Sequence, residues 1–218
     1  VETVAGETPR PFHVIGLYAP ASGSGKTTAA RYLNQSLGFI PLSFADPIKR
    51  QALRFLYSFA PTQNMTEAYQ WAQPYFVDKN RPIHEIPGRP RLRDILEGIG
   101  EGLRDRVHSD VWVEIARREV ERIRQGIVTG NAPQAPIAGV VFDDVRRENE
   151  ARLIESLGGL LIQIQRPGVA PQPGVKTEGQ LEGYPFAATL LNAGDKKALY
   201  QLIMTRVAAL LVPSSGNA

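Results

Sequence analysis

The chain has 218 residues, 43% of them hydrophobic and 22% charged, with a formal net charge of +3 and no cysteine. That composition suits a globular α/β domain and excludes a disulfide framework or a thiolate metal centre, while the charge excess is too small to mark a nucleic-acid surface. No apolar run approaches the ~18 residues that cross a bilayer, and the polar start VETVAGETPRPF lacks signal-peptide character, so no membrane partner and a cytoplasmic location are expected.

Residues 1–11 read as a disordered tail, and 12–212 as one domain. HVIGLYA (13–19) is a short buried strand, followed by a Gly/Ser loop and a helix from about Lys26 to Leu37. FIPLSF (39–44) is a second short strand, weakened by Pro41. Asp46 as N-cap and Pro47 in the first turn start a helix that runs to about Phe59. Residues 60–91 read as an irregular insertion with one short helix near Thr66 to Gln73.

From Leu92 a helical period returns, with Leu92, Ile95, Leu96, Ile99 and Leu103 on one face and Arg93, Glu97, Gly100 and Arg104 on the other. Asp110 to Gln125 is another helix, and its interleaved arginines and glutamates read as a solvated, ion-paired face. A Gly/Pro loop precedes the apolar run from Ile137 to Phe142, which ends in Asp143-Asp144. Glu148 to Leu157 is helical, Leu160 to Gln165 is a strand, and residues 167–183 read as a Pro/Gly-rich, mobile segment. Lys196 to Leu211 is a final helix whose apolar faces suit a homodimer contact, and 213–218 is a tail. Strands alternating with helices imply an α/β, three-layer fold around a parallel sheet.

The chemistry sits first in Pro20-Ala-Ser-Gly-Ser-Gly-Lys26-Thr27, which matches the phosphate-loop pattern G-x-x-x-x-G-K-[ST] except for Pro20 at its first position. Strand before and helix after is the context the pattern needs. Gly23 and Gly25 let backbone N–H groups turn inward as an anion nest, with Ser22, Ser24 and Thr28 completing the cradle. Lys26 suits the β- and γ-phosphates of ATP, and the Thr27 hydroxyl suits Mg²⁺. A second carboxylate is expected near the ion, and the strand-end pair Asp143-Asp144 supplies one, the alternative being a cap on the next helix.

Four blocks in register then resemble the bacteriophage deoxynucleoside monophosphate kinases: the phosphate loop, SFADPIKR (43–50), RLRDILEGIGEGLRDRVHSDVWV (91–113) and VVFDDVRRENEA (140–151). The strand ending in Arg166-Pro167 is similar too, and a weaker tail pattern falls around Glu178 and Asn192. The resemblance implies a P-loop kinase fold with a helical acceptor-binding region at about 45–110 and a mobile lid. It implies phosphorylation of a deoxynucleoside monophosphate by ATP with Mg²⁺. Lys49, Arg93 and Arg104 match positions that hold the acceptor phosphate, with Glu97, Gly100 and Trp112 beside them, the tryptophan ring being the better core residue. Asp144 and Arg146 match an Asp-Val-Arg element, with Asp144 and Thr27 as metal ligands. Asn149 and Glu150 follow it, the resemblance makes Arg146 and Glu150 substrate contacts, and Arg166 precedes the lid. Lys26, Arg93, Asp144, Arg146 and Arg166 form the implied catalytic set.

The sequence also departs from the family. Thr27 stands where many members have Asp, and Glu97 replaces a Gln. Asp105 stands where the arginine is common, which leaves Arg106 as a rival to Arg104. The alternatives are a kinase for another small acceptor such as dephospho-coenzyme A, a nucleotide-binding regulator without transfer, and a polynucleotide 5′-end kinase, the last disfavoured by the lack of an aromatic-basic stripe.

Overall fold

The computed structural model describes residues 11–128, 136–170 and 179–211. The expected N- and C-terminal tails therefore lie largely or wholly outside the described residues, as does the middle of the lid-like segment. Among the described residues there are five strands and seven helices.

Two units divide the chain. The first takes the residues up to Ser43 and those from Arg117 onward; the second is Phe44–Ala116.

The first unit is built on a five-stranded, all-parallel sheet in the order β2-β3-β1-β4-β5. Its strands are β1 (His13–Tyr18), β2 (Phe39–Leu42), β3 (Gly139–Val145), β4 (Leu160–Gln165) and β5 (Ala188–Leu191). Side chains alternate across a strand, so each one feeds both faces of the sheet. Ile15 and Leu17 of β1, Val141 of β3 and Ile162 and Ile164 of β4 join one buried cluster. In that cluster they meet Ala29, Ala30 and Leu33 of α1 (Lys26–Leu37) and Leu199, Ile203 and Val207 of α7 (Lys196–Leu211). Gly16 of β1 faces the other way, against Leu161, Val145 and Ile154 of α6 (Glu148–Ser156). Helices thus cover both faces, the three layers expected of an α/β fold.

Gly139 opens β3 because nothing larger fits there: a Cβ at that position would overlap the His13 carbonyl oxygen. At the other end of β3 the register with β1 breaks. Gly16 pairs with Phe142 and Tyr18 with Val145, so β3 carries one residue more than β1 across Asp143 and Asp144. A bulge of this kind re-aims side chains at a strand end.

The second unit holds α2 (Asp46–Tyr57), α3 (Met65–Val77), α4 (Leu92–Arg106) and the first residues of α5 (Val111–Arg124). Its core is Ala52, Leu56, Ala72, Tyr75, Ile83, Ile86 and Leu92. Helix α2 starts with Ala45 as N-cap, and Asp46 is its first residue, spent on an ion pair with Lys49. Helix α3 is longer than the stretch expected from Thr66 to Gln73. Asn64 caps its start by accepting from the backbone N–H groups of Thr66 and Glu67, and it continues through Pro74 to Val77. Pro74 costs the helix a backbone donor and crowds the carbonyl one turn back, yet α3 runs on past it and Tyr75 is buried. Along α5, Arg122 pairs with Glu119 at 3.2 Å and Arg124 with Glu121 at 3.6 Å, the ion-paired face its sequence suggests.

Candidate active site

Strands β1 and β3 are neighbours, and the helices that follow them lie on opposite faces of the sheet. That makes the gap beyond their carboxyl ends a topological switch point, where open α/β sheets bind ligands. The Gly/Ser loop and the Asp143-Asp144 pair both arrive there.

The loop leaves β1 at Ala19 and turns into α1 at Lys26. Gly23 has φ 82° and Gly25 φ 105°, left-handed conformations that side chains oppose. Ser24 is buried, and its hydroxyl donates to the Ala21 carbonyl at 2.8 Å, tying the loop across its own base. Ser22 and Thr27 are exposed, Lys26 and Thr28 are partly exposed, and Lys26 and Thr27 are the first two residues of α1. Backbone N–H groups left open at a helix start, with the positive end of its dipole, make an anion site. Pro20 lines a cavity of about 420 Å³ together with Tyr18, Gln163, Tyr184 and Phe186. The Tyr18 and Phe186 rings stack there at 5.2 Å, so Pro20 borders an aromatic wall.

Asp143 and Asp144 have different partners. The Thr27 hydroxyl donates to Asp143 Oδ2 at 2.9 Å, and the Ser43 hydroxyl donates to Asp144 Oδ2 at 2.6 Å. Asp143 shares its face of β3 with Val141, which packs in the α1 cluster, and that direction leads to the first turn of α1. The resemblance names Thr27 and Asp144 as metal ligands; the carboxylate that accepts from the Thr27 hydroxyl is Asp143. The bulge, which leaves no mark in the sequence, brings both acids to the same strand end. Ser43 and Asn192 were also missed as polar partners of this region.

Thr27 and Asp143 offer hard oxygen donors suited to Mg²⁺. Among the described residues there is no group of three or more His, Cys, Asp or Glu that could hold a metal. An ion with few protein ligands is the usual mode for Mg²⁺, which keeps waters and takes substrate phosphate oxygens.

Arg146 and Glu150 stand at the start of α6. Glu150 is buried and its carboxylate accepts from the backbone N–H groups of Arg146 at 2.8 Å and Arg147 at 3.1 Å. It caps α6 and so fixes the backbone that carries Arg146. Arg166 follows β4 and is exposed.

The remaining expected residues belong to the Phe44–Ala116 unit. Lys49 pairs with Asp46 at 2.8 Å. Arg93 donates from Nε to Asn80 Oδ1 at 3.0 Å, which orients its guanidinium. Arg104 pairs with Glu101 at 2.8 Å, its side chain only 13% exposed, whereas Arg106 and Glu97 are exposed. Gly100 is buried beneath Ile48 and Arg104: a Cβ there would meet Ile48 Cδ1 at 3.3 Å and the Arg104 guanidinium at 3.5 Å. Trp112 is 2% exposed and its Nε1 donates to the Gly100 carbonyl at 3.0 Å, so its ring is core and its polar edge holds α4. Arg93, Gly100 and Arg104 therefore share α4, with Gly100 and Arg104 in contact.

No protein-family profile matches the chain. Among solved structures it is similar to TT1252 from Thermus thermophilus, with a TM-score of 0.43 and 18% identity, covering 92% of this chain and 98% of that one. Among curated proteins it is similar to one of Acanthamoeba polyphaga mimivirus described as a "putative deoxynucleotide monophosphate kinase". The two are 34% identical over 198 residues, 89% of this chain and 95% of the mimivirus protein. That relative comes from a virus of an amoeba, whereas the sequence motifs pointed to bacteriophage members. An identity of this size over nearly the whole length of both proteins assigns the chain to the deoxynucleotide monophosphate kinase family.

Proposed function

We propose that the chain transfers the γ-phosphoryl group of ATP to a deoxynucleoside 5′-monophosphate, giving ADP and the diphosphate. The observation that carries this reading is the Gly/Ser loop of β1 meeting the Asp143 carboxylate of β3 through Thr27, at the switch point of the sheet. Family membership supports the class of acceptor.

An oxygen of the acceptor phosphate forms the new bond to the γ-phosphorus as the bond to the β-bridging oxygen breaks, and ADP leaves. That oxygen is ionised at neutral pH, so no strong base is required. The protein's task is positioning and charge stabilisation. The loop's N–H groups and the start of α1 cradle the β- and γ-phosphates, and Lys26 balances the charge that builds between them. Thr27 and Asp143 would hold Mg²⁺, which neutralises the β- and γ-oxygens when bound. Asp144, fixed by Ser43, and Arg146, on the backbone capped by Glu150, border the same strand end. For the acceptor phosphate the proposed residues are Lys49, Arg93 and Arg104, of which Arg104 is better held than Arg106. Arg166 is proposed to act on the triphosphate.

Transfer of label from [γ-³²P]ATP to a deoxynucleoside monophosphate tests the reading. Wild type should label the diphosphate and Lys26→Ala should not, while circular dichroism shows both folded. Equal labelling by the two would remove the loop from the mechanism.

A further inference from the structure

Strand β5 has only four residues, and the residue that follows it, Asn192, is 4% exposed. A buried carboxamide costs stability unless its polar atoms are paired, so its bonds explain its burial. The Asn192 backbone N–H donates to the Gln165 carbonyl at 2.7 Å, prolonging the β4–β5 pairing. Its side-chain Nδ2 donates to the Ser24 carbonyl at 3.0 Å, reaching 168 residues back to the Gly/Ser loop. A carbonyl can only accept, which fixes the nitrogen of the carboxamide on that side. The contact is close: a Cβ on Gly25 would lie 2.7 Å from Nδ2 and 3.3 Å from Leu199 of α7.

The C=O and N–H of one trans peptide point in opposite directions. A Ser24 carbonyl anchored towards Asn192 therefore turns the Gly25 N–H away from β5. Gly25 itself takes a left-handed φ of 105°, and the Ser24 hydroxyl, bonded to Ala21, holds the residue before it. We infer that Asn192 is a positioning residue for the phosphate loop: its carboxamide fixes the Ser24–Gly25 peptide so that the Gly25 N–H faces the triphosphate. The segment from β5 to α7 is then the backstop of the loop. This inference rests on the loop being the triphosphate site.

The test is titration calorimetry of a non-hydrolysable ATP analogue with Mg²⁺, and separately of a deoxynucleoside monophosphate. Wild type, Asn192→Asp and Asn192→Ala are compared, each checked for fold by thermal unfolding. Asn192→Asp keeps the shape but sets a carboxylate oxygen against a carbonyl. Both variants should bind the analogue about ten-fold or more weakly, as expected for a lost hydrogen bond with a misaligned peptide, and bind the monophosphate as wild type does. If Asn192→Asp does not fold, Asn192→Ala carries the comparison. Unchanged analogue affinity, or equal losses for analogue and monophosphate, would overturn the positioning role while leaving the triphosphate reading intact. Failure of wild type itself to bind the analogue would instead overturn that reading, and the inference with it.

Discussion

Asp143 and Asp144 are adjacent in sequence yet serve different neighbours, Thr27 and Ser43. If Asp143 helps hold the metal, Asp143→Asn should raise the Mg²⁺ concentration for half-maximal activity by about 10–100-fold, the usual effect of losing a carboxylate at or next to a metal ligand. Asp144→Asn should move that midpoint far less. Activity titrated against Mg²⁺ in both variants checks it, and a larger shift for Asp144→Asn would reverse their roles. The acid pair was legible in the sequence because acids ending an apolar strand are conspicuous beside a phosphate loop. Which acid meets Thr27 was not, since the extra residue in β3 arises from its pairing with β1 and leaves no local mark. Trp112 was read as core from its residue type, but its bond to the Gly100 carbonyl depends on how α5 lies beside α4. Glu150 is a substrate contact in the resemblance, and its bonds to the Arg146 and Arg147 N–H groups also cap α6.

Among the elements, α4 matters most to the acceptor proposal because it carries Arg93, Gly100 and Arg104. Its start is held by Asp94, whose carboxylate accepts from the Arg91 backbone N–H at 2.9 Å and from its guanidinium at 3.0 and 2.6 Å. These bonds pull the Asp94 carboxyl down to about 2 from its ordinary 3.8. A folded-state value below the unfolded one means stability that is fully present above the ordinary carboxylate range and lost as pH falls towards 2. Both side chains are half-exposed, so Asp94→Ala should cost only about 0.5–1 kcal/mol at neutral pH. Urea unfolding should show that gap narrowing as the pH is lowered through the carboxylate range; a gap that widens on acidification would contradict the assignment. The long periodic elements were legible: α1, β4 and α7 begin and end where their patterns do. Strand β5 was not, because ATLL is four residues between a proline-rich stretch and a helix, too short to show alternation. It becomes a strand only by pairing with β4. The end of α3 was missed for the complementary reason: proline predicts a stop, but α3 continues through Pro74 to Val77, with Tyr75 buried.

For the whole molecule, an all-parallel sheet covered on both faces supplies one rigid edge at which β1 and β3 deliver a loop and a carboxylate pair. The Phe44–Ala116 unit has its own core, which α3 and the 78–91 segment share through Ala72, Tyr75, Ile83 and Ile86. No helix among the described residues is long and apolar enough to cross a membrane. The central claim is the reaction, and the most direct measurement is ADP release with Mg²⁺ and ATP against a panel of acceptors. The panel holds the deoxynucleoside and ribonucleoside monophosphates, dephospho-coenzyme A and a 5′-hydroxyl oligonucleotide. The account predicts release stimulated by one or more deoxynucleoside monophosphates, with the matching diphosphate formed in equal amount. Stimulation by dephospho-coenzyme A or the oligonucleotide alone, or tight ATP binding with no acceptor-dependent release, would contradict it.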